Sequence, residues 1–422
     1  MKRAIRQFVL HNRIASAQRT HSAPATEIVV CCAPVPEGNR GDQALLAAVV
    51  DTLRRGPWKK IHLVQTAYHP ILAIREDERI RIHAGYYPVF TSLECFREQL
   101  AWVRFLRGKG EVILIGADVL DEHYSVARSE GSFYAMHLAA RCGCPTRIIG
   151  FSVNGAPSDA LRSRFLQAQN DGTRLFVRDA LSFQRLHDAG IKSAELVGDL
   201  ALLMRPARID DLDPALRQFI QTAPGPVVGL NFTEVVMGRG PETDALLDRV
   251  MDTCARLARE DGCRFICIPH DEQGGIEYLG AFHARMNQRH PGIATLVSPM
   301  PSAQQLKCIA GQCAHVFTCR LHLGIATLGM GRPVTGFPYQ GKFEGQFEHF
   351  GLTDGLVYKD HLPGTVDGMT ELFRRRIRAS SELAQRVRDR LPAVLALSMK
   401  NFAGLPCDDA APIGAVGGVA RT

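Results

Sequence analysis

No segment of this sequence approaches the ~18 consecutive apolar residues that a membrane-spanning helix requires. C-x-x-C pairs are absent too, although the chain carries 12 cysteines. Cys31 and Cys32 are adjacent and Cys142 and Cys144 are one residue apart, spacings that suit neither a zinc ribbon nor a dithiol redox motif. Cys263, Cys267, Cys308 and Cys313 sit in apolar surroundings, where cysteine packs as a small hydrophobe. The pattern reads as that of a cytoplasmic chain in a reducing compartment. Near the start, FVL is too short for the apolar core of a secretory signal. No G-x-S-x-G elbow and no H-E-x-x-H helix occurs. The basic residues are dispersed and not interleaved with aromatics, so nucleic acid is not an expected partner. The net charge of +7 instead suits a small anionic substrate, because a basic cleft concentrates negative ligands.

At 422 residues, 46% of them apolar and 22% charged, the chain is globular and too long for one ordinary core. From Glu27 onward, short β-rich runs alternate with helical patterns, which predicts βαβ units and parallel sheets. EIVVCCAP, KKIHLVQT, EVILIG, TRIIGFSV, TRLFVRD and AELVG read as strands of a first half. PVVGLNF, CRFICIPH, ATLVSP, HVFTC and RPVTGFPY read as strands of a second. The expected fold is α/β, two Rossmann-like doubly wound domains with a central cleft. The first spans 26–210 and the second 224–365, divided near RPARIDDLDP or TAPGP, where Pro, Asp and Gly cluster. Residues 366–402 read as C-terminal helices, while 1–25, a basic tail, and the Gly-rich 403–422 read as disordered. The basic stretch 373–391 reads as a solvated face, with peripheral membrane contact as the other reading.

Doubly wound domains bind ligands outside the carboxyl ends of their strands, and that rule selects the candidate residues. In TCRLHLGIATLGMGRPVTGFPYQGKFEG, residues 318–345, Arg320 and His322 join a buried strand to an apolar helix. That helix's N-terminus offers backbone donors to an anion, and Lys342 follows the next strand in a loop. In GNRGDQALL, Gly38 and Gly41 permit a tight turn and Asp42 can cap the helix. Asn39 and Asp42 can also hydrogen-bond sugar hydroxyls, with Asp42 a candidate base. The segment is neither a dinucleotide fingerprint nor a P-loop. Arg178, in LFVRDALS, ends a first-half strand and is suited to clamp an anion. His270, in IPHDEQGG, ends a second-half strand, where substrate contact and plain helix capping compete. Asp118, Asp121 and His123 read as solvated loop residues before metal ligands, and no metal is expected.

GNRGDQALL, VRD, and RLH followed by G-x-P-V and Y-x-x-K together resemble the polysaccharide pyruvyl transferase family, in order and spacing, from about residue 28 to 355. The resemblance implies a GT-B-like enzyme that moves the enolpyruvyl unit of phosphoenolpyruvate onto a sugar. The acceptor would be a cell-surface polysaccharide or its lipid-linked precursor, the product a pyruvate ketal. It assigns donor binding to Arg178, His322 and Lys342, with Arg320 in the same loop. His322 is the candidate general acid, since His titrates near neutrality, and the donor would need no cofactor. Where relatives commonly carry Gly-Gly-Gly, this chain has Gly116-Ala117-Asp118. Two other readings stand beside this one. The first is a GT-B glycosyltransferase with a nucleotide-sugar donor, using Glu344 or Glu348 on the ribose. The second is a non-catalytic sugar- or anion-binding protein.

Overall fold

The computed structural model describes residues 2–18, 26–32, 39–66, 74–272, 275–338 and 341–407. They divide into two compact units. The first holds the described residues up to 32, together with 45–200 and 397–407; the second holds 39–44 and 201–396. The division therefore falls after Leu200, ahead of the Pro- and Asp-rich stretch where the sequence suggests it, and the chain also crosses between units before residue 39, after residue 44 and after residue 396.

The first unit is built on β1 (Glu27–Cys31), β2 (Lys60–Val64), β3 (Ile80–His83), β4 (Val112–Ile115), β5 (Thr146–Phe151), β6 (Arg174–Val177) and β7 (Ala194–Leu196). They form one parallel sheet in the order β3-β2-β1-β4-β5-β6-β7. Six of these strands are legible in sequence. The seventh, β3, is a four-residue edge strand, IRIH, mostly unburied and so without a continuous apolar run. Its helices are α1 (Lys2–Gln18), α2 (Arg40–Leu53, begun in the second unit), α3 (Phe96–Phe105), α4 (Val126–Arg141), α5 (Asp159–Asn170) and α6 (Ala180–Asp188).

The second unit has β8 (Val227–Asn231), β9 (Arg264–Cys267), β10 (Ala294–Leu296), β11 (His315–Thr318) and β12 (Val334–Gly336), all parallel, in the order β10-β9-β8-β11-β12. Its helices are α7 (Pro214–Gln221), α8 (Glu234–Met237), α9 (Pro241–Asp261), α10 (Gly275–Arg289), α11 (Ala303–Gln312), α12 (Leu321–Gly329), α13 (Lys342–His349), α14 (Val366–Arg378) and α15 (Ser380–Met399). The expected C-terminal helices are two, α14 and α15. At their junction Ser380 Oγ donates to the Arg376 carbonyl (3.1 Å), a side chain competing for a backbone acceptor.

Both expected disordered ends need correction. Lys2–Gln18 is helical because Leu10, Ile14 and Ala17 recur at helical spacing. Ile14 and Ala17 are buried in the core that contains Trp102 and Val103. At the other end, residues 403–407 are ordered. The Ala403 carbonyl accepts from Arg147 (3.2 Å) and from Arg174, and Leu405 is buried. Residues 19–25 and 408–422 lie outside the described residues.

Candidate functional site

In the second unit, β9, β8, β11 and β12 are parallel neighbours, so the segments leaving their carboxyl ends share one edge of the sheet. Those segments carry His270, Asp271 and Glu272 after β9, Arg320 and His322 after β11, and Lys342 after β12. The strand order reverses between β8 and β11, the place where such sheets hold ligands.

The turn out of β11 is fixed locally. Thr318 Oγ1 accepts the Arg320 N–H (2.9 Å), and Arg320 keeps an extended backbone (φ −109°, ψ 120°) immediately before α12. Arg320 is therefore the N-cap residue, and His322 stands in the first turn of the helix. The Arg320 guanidinium pairs with Asp271 Oδ2 at 2.7 Å, while Asp271 Oδ1 accepts the first N–H of α10, from Gly275 (3.1 Å). Lys342 is the first residue of α13 rather than a loop residue, and its side chain is buried. Tyr339, the Y of Y-x-x-K, lies outside the described residues.

The segment 39–44 belongs to this unit and supplies part of the site. Asn39, not Asp42, caps α2: its Oδ1 accepts the Gly41 N–H (2.9 Å), and its Nδ2 donates to Asp42 Oδ2 (3.3 Å) in the buried first turn. Gly38 lies outside the described residues. Gly41 is required for a different reason from the expected tight turn, because the His322 ring rests directly on it. A Cβ there would fall 2.2 Å from His322 Nδ1. Arg40, which the sequence reading passes over, is buried. It donates from Nε to the Pro301 carbonyl and from Nη2 to Glu272 Oε1 (2.9 Å), and its N–H reaches the His270 carbonyl (3.3 Å). A cation inside a Gly-bracketed strand-to-helix turn is the signal that would have found it.

His270 is buried, its ring nearly parallel to that of His322, with centroids 6.4 Å apart and planes 10° from parallel. Burial, and then the charges of Arg320, His322 and Arg40, hold its proton affinity well below the ordinary histidine value, so it is neutral at pH 7. The cluster can thus offer several cations, a neutral imidazole and a helix N-terminus to a compact anion.

In the first unit, Arg178 is 1% exposed. It pairs with Asp199 (3.0 Å) and donates to Ser152 Oγ (2.7 Å). Burial opposes its charge, but Asp199, Asp118 and Asp179 outweigh burial and raise its proton affinity. Asp118 and Asp121 are likewise engaged: Asp118 accepts from the Tyr124 hydroxyl (3.3 Å), and Asp121 from the backbone N–H of His123 (3.2 Å) and of Asn154 (3.1 Å). No cluster of three or more potential metal ligands occurs among the described residues. Asp121, Glu122, His123 and Asn154 line a cleft of about 320 Å³. Its approach is strained. Ala117 (φ 46°) and Glu122 (φ 64°) are the two non-glycine residues with positive φ among the described residues.

A family model for polysaccharide pyruvyl transferases matches residues 39–341. Among solved structures, MnaA of S. aureus with UDP is 13% identical, covering 86% of this chain and 91% of its own, with a TM-score of 0.55. HepE of Anabaena with UDP and glucose is 13% identical over 89% and 98%, TM-score 0.54. A Listeria monocytogenes structure described as a UDP-N-acetylglucosamine 2-epimerase is 12% identical over 90% and 97%, TM-score 0.58. At such identities the likeness speaks for the fold, which is GT-B-like. No curated protein matches the sequence.

Proposed function

The chain belongs to the polysaccharide pyruvyl transferase family, and we propose that it transfers the enolpyruvyl unit of phosphoenolpyruvate to a sugar, forming a ketal. The observation that carries this reading is the group at the carboxyl edge of the second sheet, with His322 and Arg320 near the buried Arg40 and a neutral His270, and Lys342 on the segment after the edge strand β12. Phosphoenolpyruvate carries a phosphate and a carboxylate in a small volume and needs several fixed cations. A preorganised group of them stabilises charge without a metal.

In the proposed reaction, His322 delivers a proton to the methylene carbon, and an oxocarbenium-like centre develops at the adjoining carbon. A sugar hydroxyl adds there, its proton drawn off by Asp42. A second hydroxyl closes the ring as the C–O bond to phosphate breaks, and phosphate leaves with the second hydroxyl's proton. Arg320 and Lys342 hold the phosphate and carboxylate, while Asn39 and His270 contact substrate. The acceptor is a cell-surface glycan or its lipid-linked precursor, and the reaction runs in the cytoplasm. Arg178, closed in on Asp199, acts in this reading by holding the loops around it.

Calorimetric titration with phosphoenolpyruvate, UDP and a UDP-sugar tests the donor. Selective phosphoenolpyruvate binding, weakened tenfold or more by Arg320→Ala and Lys342→Ala, is the expected result, about 1.4 kcal/mol or more in each case. The UDP-bound neighbours give the rival reading its support. Selective UDP binding would make the protein a nucleotide-sugar enzyme.

A further inference from the structure

The C-terminal helices are rich in arginine, yet carboxylates of the same unit answer much of that charge. Arg374 pairs with Glu260 (2.6 Å) and Asp261 (2.8 Å), Arg378 with Asp261 (3.3 Å), and Arg386 with Asp354 (3.5 Å). The first unit carries a surface of opposite character. Residues 1–26 hold five basic residues, Lys2, Arg3, Arg6, Arg13 and Arg19, and no Asp or Glu. Within α1, one face is seated through Ile14 and Ala17 on the core under α3, and Arg107 ties it further by a hydrogen bond to Ser16. Arg6, Arg13, His11 and Asn12 are exposed, and Phe8 is 68% exposed, the most exposed of the large apolar side chains described. Arg6 lies over the Phe96 ring (5.5 Å) at the start of α3, and α3 adds the exposed Arg97 and Arg104, with Leu93 exposed just before it. Glu94 and Glu98 are the acidic residues at that end of α3, and the basic side chains outnumber them.

We propose that this face of α1, extended by α3, docks on an anionic phospholipid surface. Arginines bracketing an exposed aromatic on a surface helix match what an interfacial helix needs: charge to reach an anionic leaflet and an apolar side chain to enter it. An acid-free segment keeps the attraction undiluted, whereas the paired C-terminal arginines offer little net charge. Docking here would bring the enzyme to a lipid-linked acceptor, but the inference does not depend on the donor being phosphoenolpyruvate.

The test is flotation of the full-length protein with vesicles of phosphatidylcholine alone or with phosphatidylglycerol added. Binding is expected only with phosphatidylglycerol, and it should fade as salt rises. Arg6→Glu with Arg13→Glu should lower the partition coefficient roughly tenfold or more, and Phe8→Ser several-fold. Arg386→Glu should leave it unchanged. Circular dichroism establishes that each variant is folded. Equal binding to both vesicles, binding to neither, or an Arg386→Glu loss as large as the α1 loss overturns the proposal. Phosphate release with a water-soluble acceptor, measured in parallel, should be indifferent to the α1 variants. If wild type floats but turns nothing over, the catalytic reading fails and the docking surface stands.

Discussion

The family resemblance assigns Arg178 of the first unit to donor binding and sets Arg320 of the second in the donor loop, yet the surroundings of the two are opposite. Arg178 is sealed at 1% exposure among Asp199, Asp118 and Asp179 and bonded to Ser152. Arg320 leaves 26% of its side chain exposed, pairs with Asp271, and stands at the mouth of a helix. A guanidinium in the first situation holds structure in place. One in the second can exchange its carboxylate for a ligand's. A motif match at both arginines therefore does not mean the same work at both.

The largest effect expected from this contrast is on stability. Arg178→Met leaves Asp199 buried without its partner, which costs about 3–5 kcal/mol. Asp199→Asn strands the guanidinium to a similar degree. Both should lower the thermal midpoint sharply, and they reduce turnover through lost fold. Arg320→Met breaks a partly exposed pair worth about 1 kcal/mol, so the midpoint should barely move while phosphoenolpyruvate affinity falls. Should Arg178→Met melt like wild type and lose only donor binding, the contrast is broken and Arg178 is a direct ligand.

Gly41→Ala sharpens the distinction between site and scaffold. Position 41 is in the first turn of α2, where alanine is a better helix former than glycine by up to about 1 kcal/mol. The new methyl would nevertheless collide with the His322 ring, and a displacement near 1 Å at a reacting group can lower the rate about 100-fold. Turnover should drop between ten- and a hundredfold, with the thermal midpoint held or slightly raised. An unchanged rate would show that the seat of His322 on Gly41 is irrelevant to chemistry.

Much of this is legible in the sequence. The strands buried on both faces announce themselves as continuous apolar runs, as in EIVVC and VILI, and the strand-end rule leads to His270, Arg320, His322 and Lys342. What the sequence could not carry was partnership at long range. The Arg40–Glu272 pair spans 232 positions and the His322–Gly41 contact joins segments farther apart still. Neither has a local periodicity. The N-terminal end reads as a tail because the apolar positions of its helix, Leu10, Ile14 and Ala17, stand among polar and basic residues. Ala117 is a further case, a left-handed residue that only the backbone reveals.

The smallest effect, and the most selective, concerns a buried cation without a carboxylate. Lys307 on α11 is 2% exposed and donates to the carbonyls of Leu202 (2.8 Å) and Met204 (2.6 Å). Burial alone pulls its pKa down to about 7, whereas Arg178, equally buried, is held charged by its aspartates. The unfolded chain keeps an ordinary lysine near 10.4. Between pH 7 and that value the unfolded state thus binds more protons than the folded one, and stability must rise with pH. Above the unfolded value the advantage is complete; as pH falls through 7 it is lost, because the folded protein then carries the buried charge too. Lys307→Met removes the titrating group, so the wild-type minus variant difference in unfolding free energy should climb from pH 7 to 9, by at most about 1.4 kcal/mol per pH unit. Urea melts at pH 6, 7, 8 and 9 read it directly. A difference that stays flat over that range would mean that the two carbonyls suffice to keep Lys307 charged, erasing the contrast with Arg178.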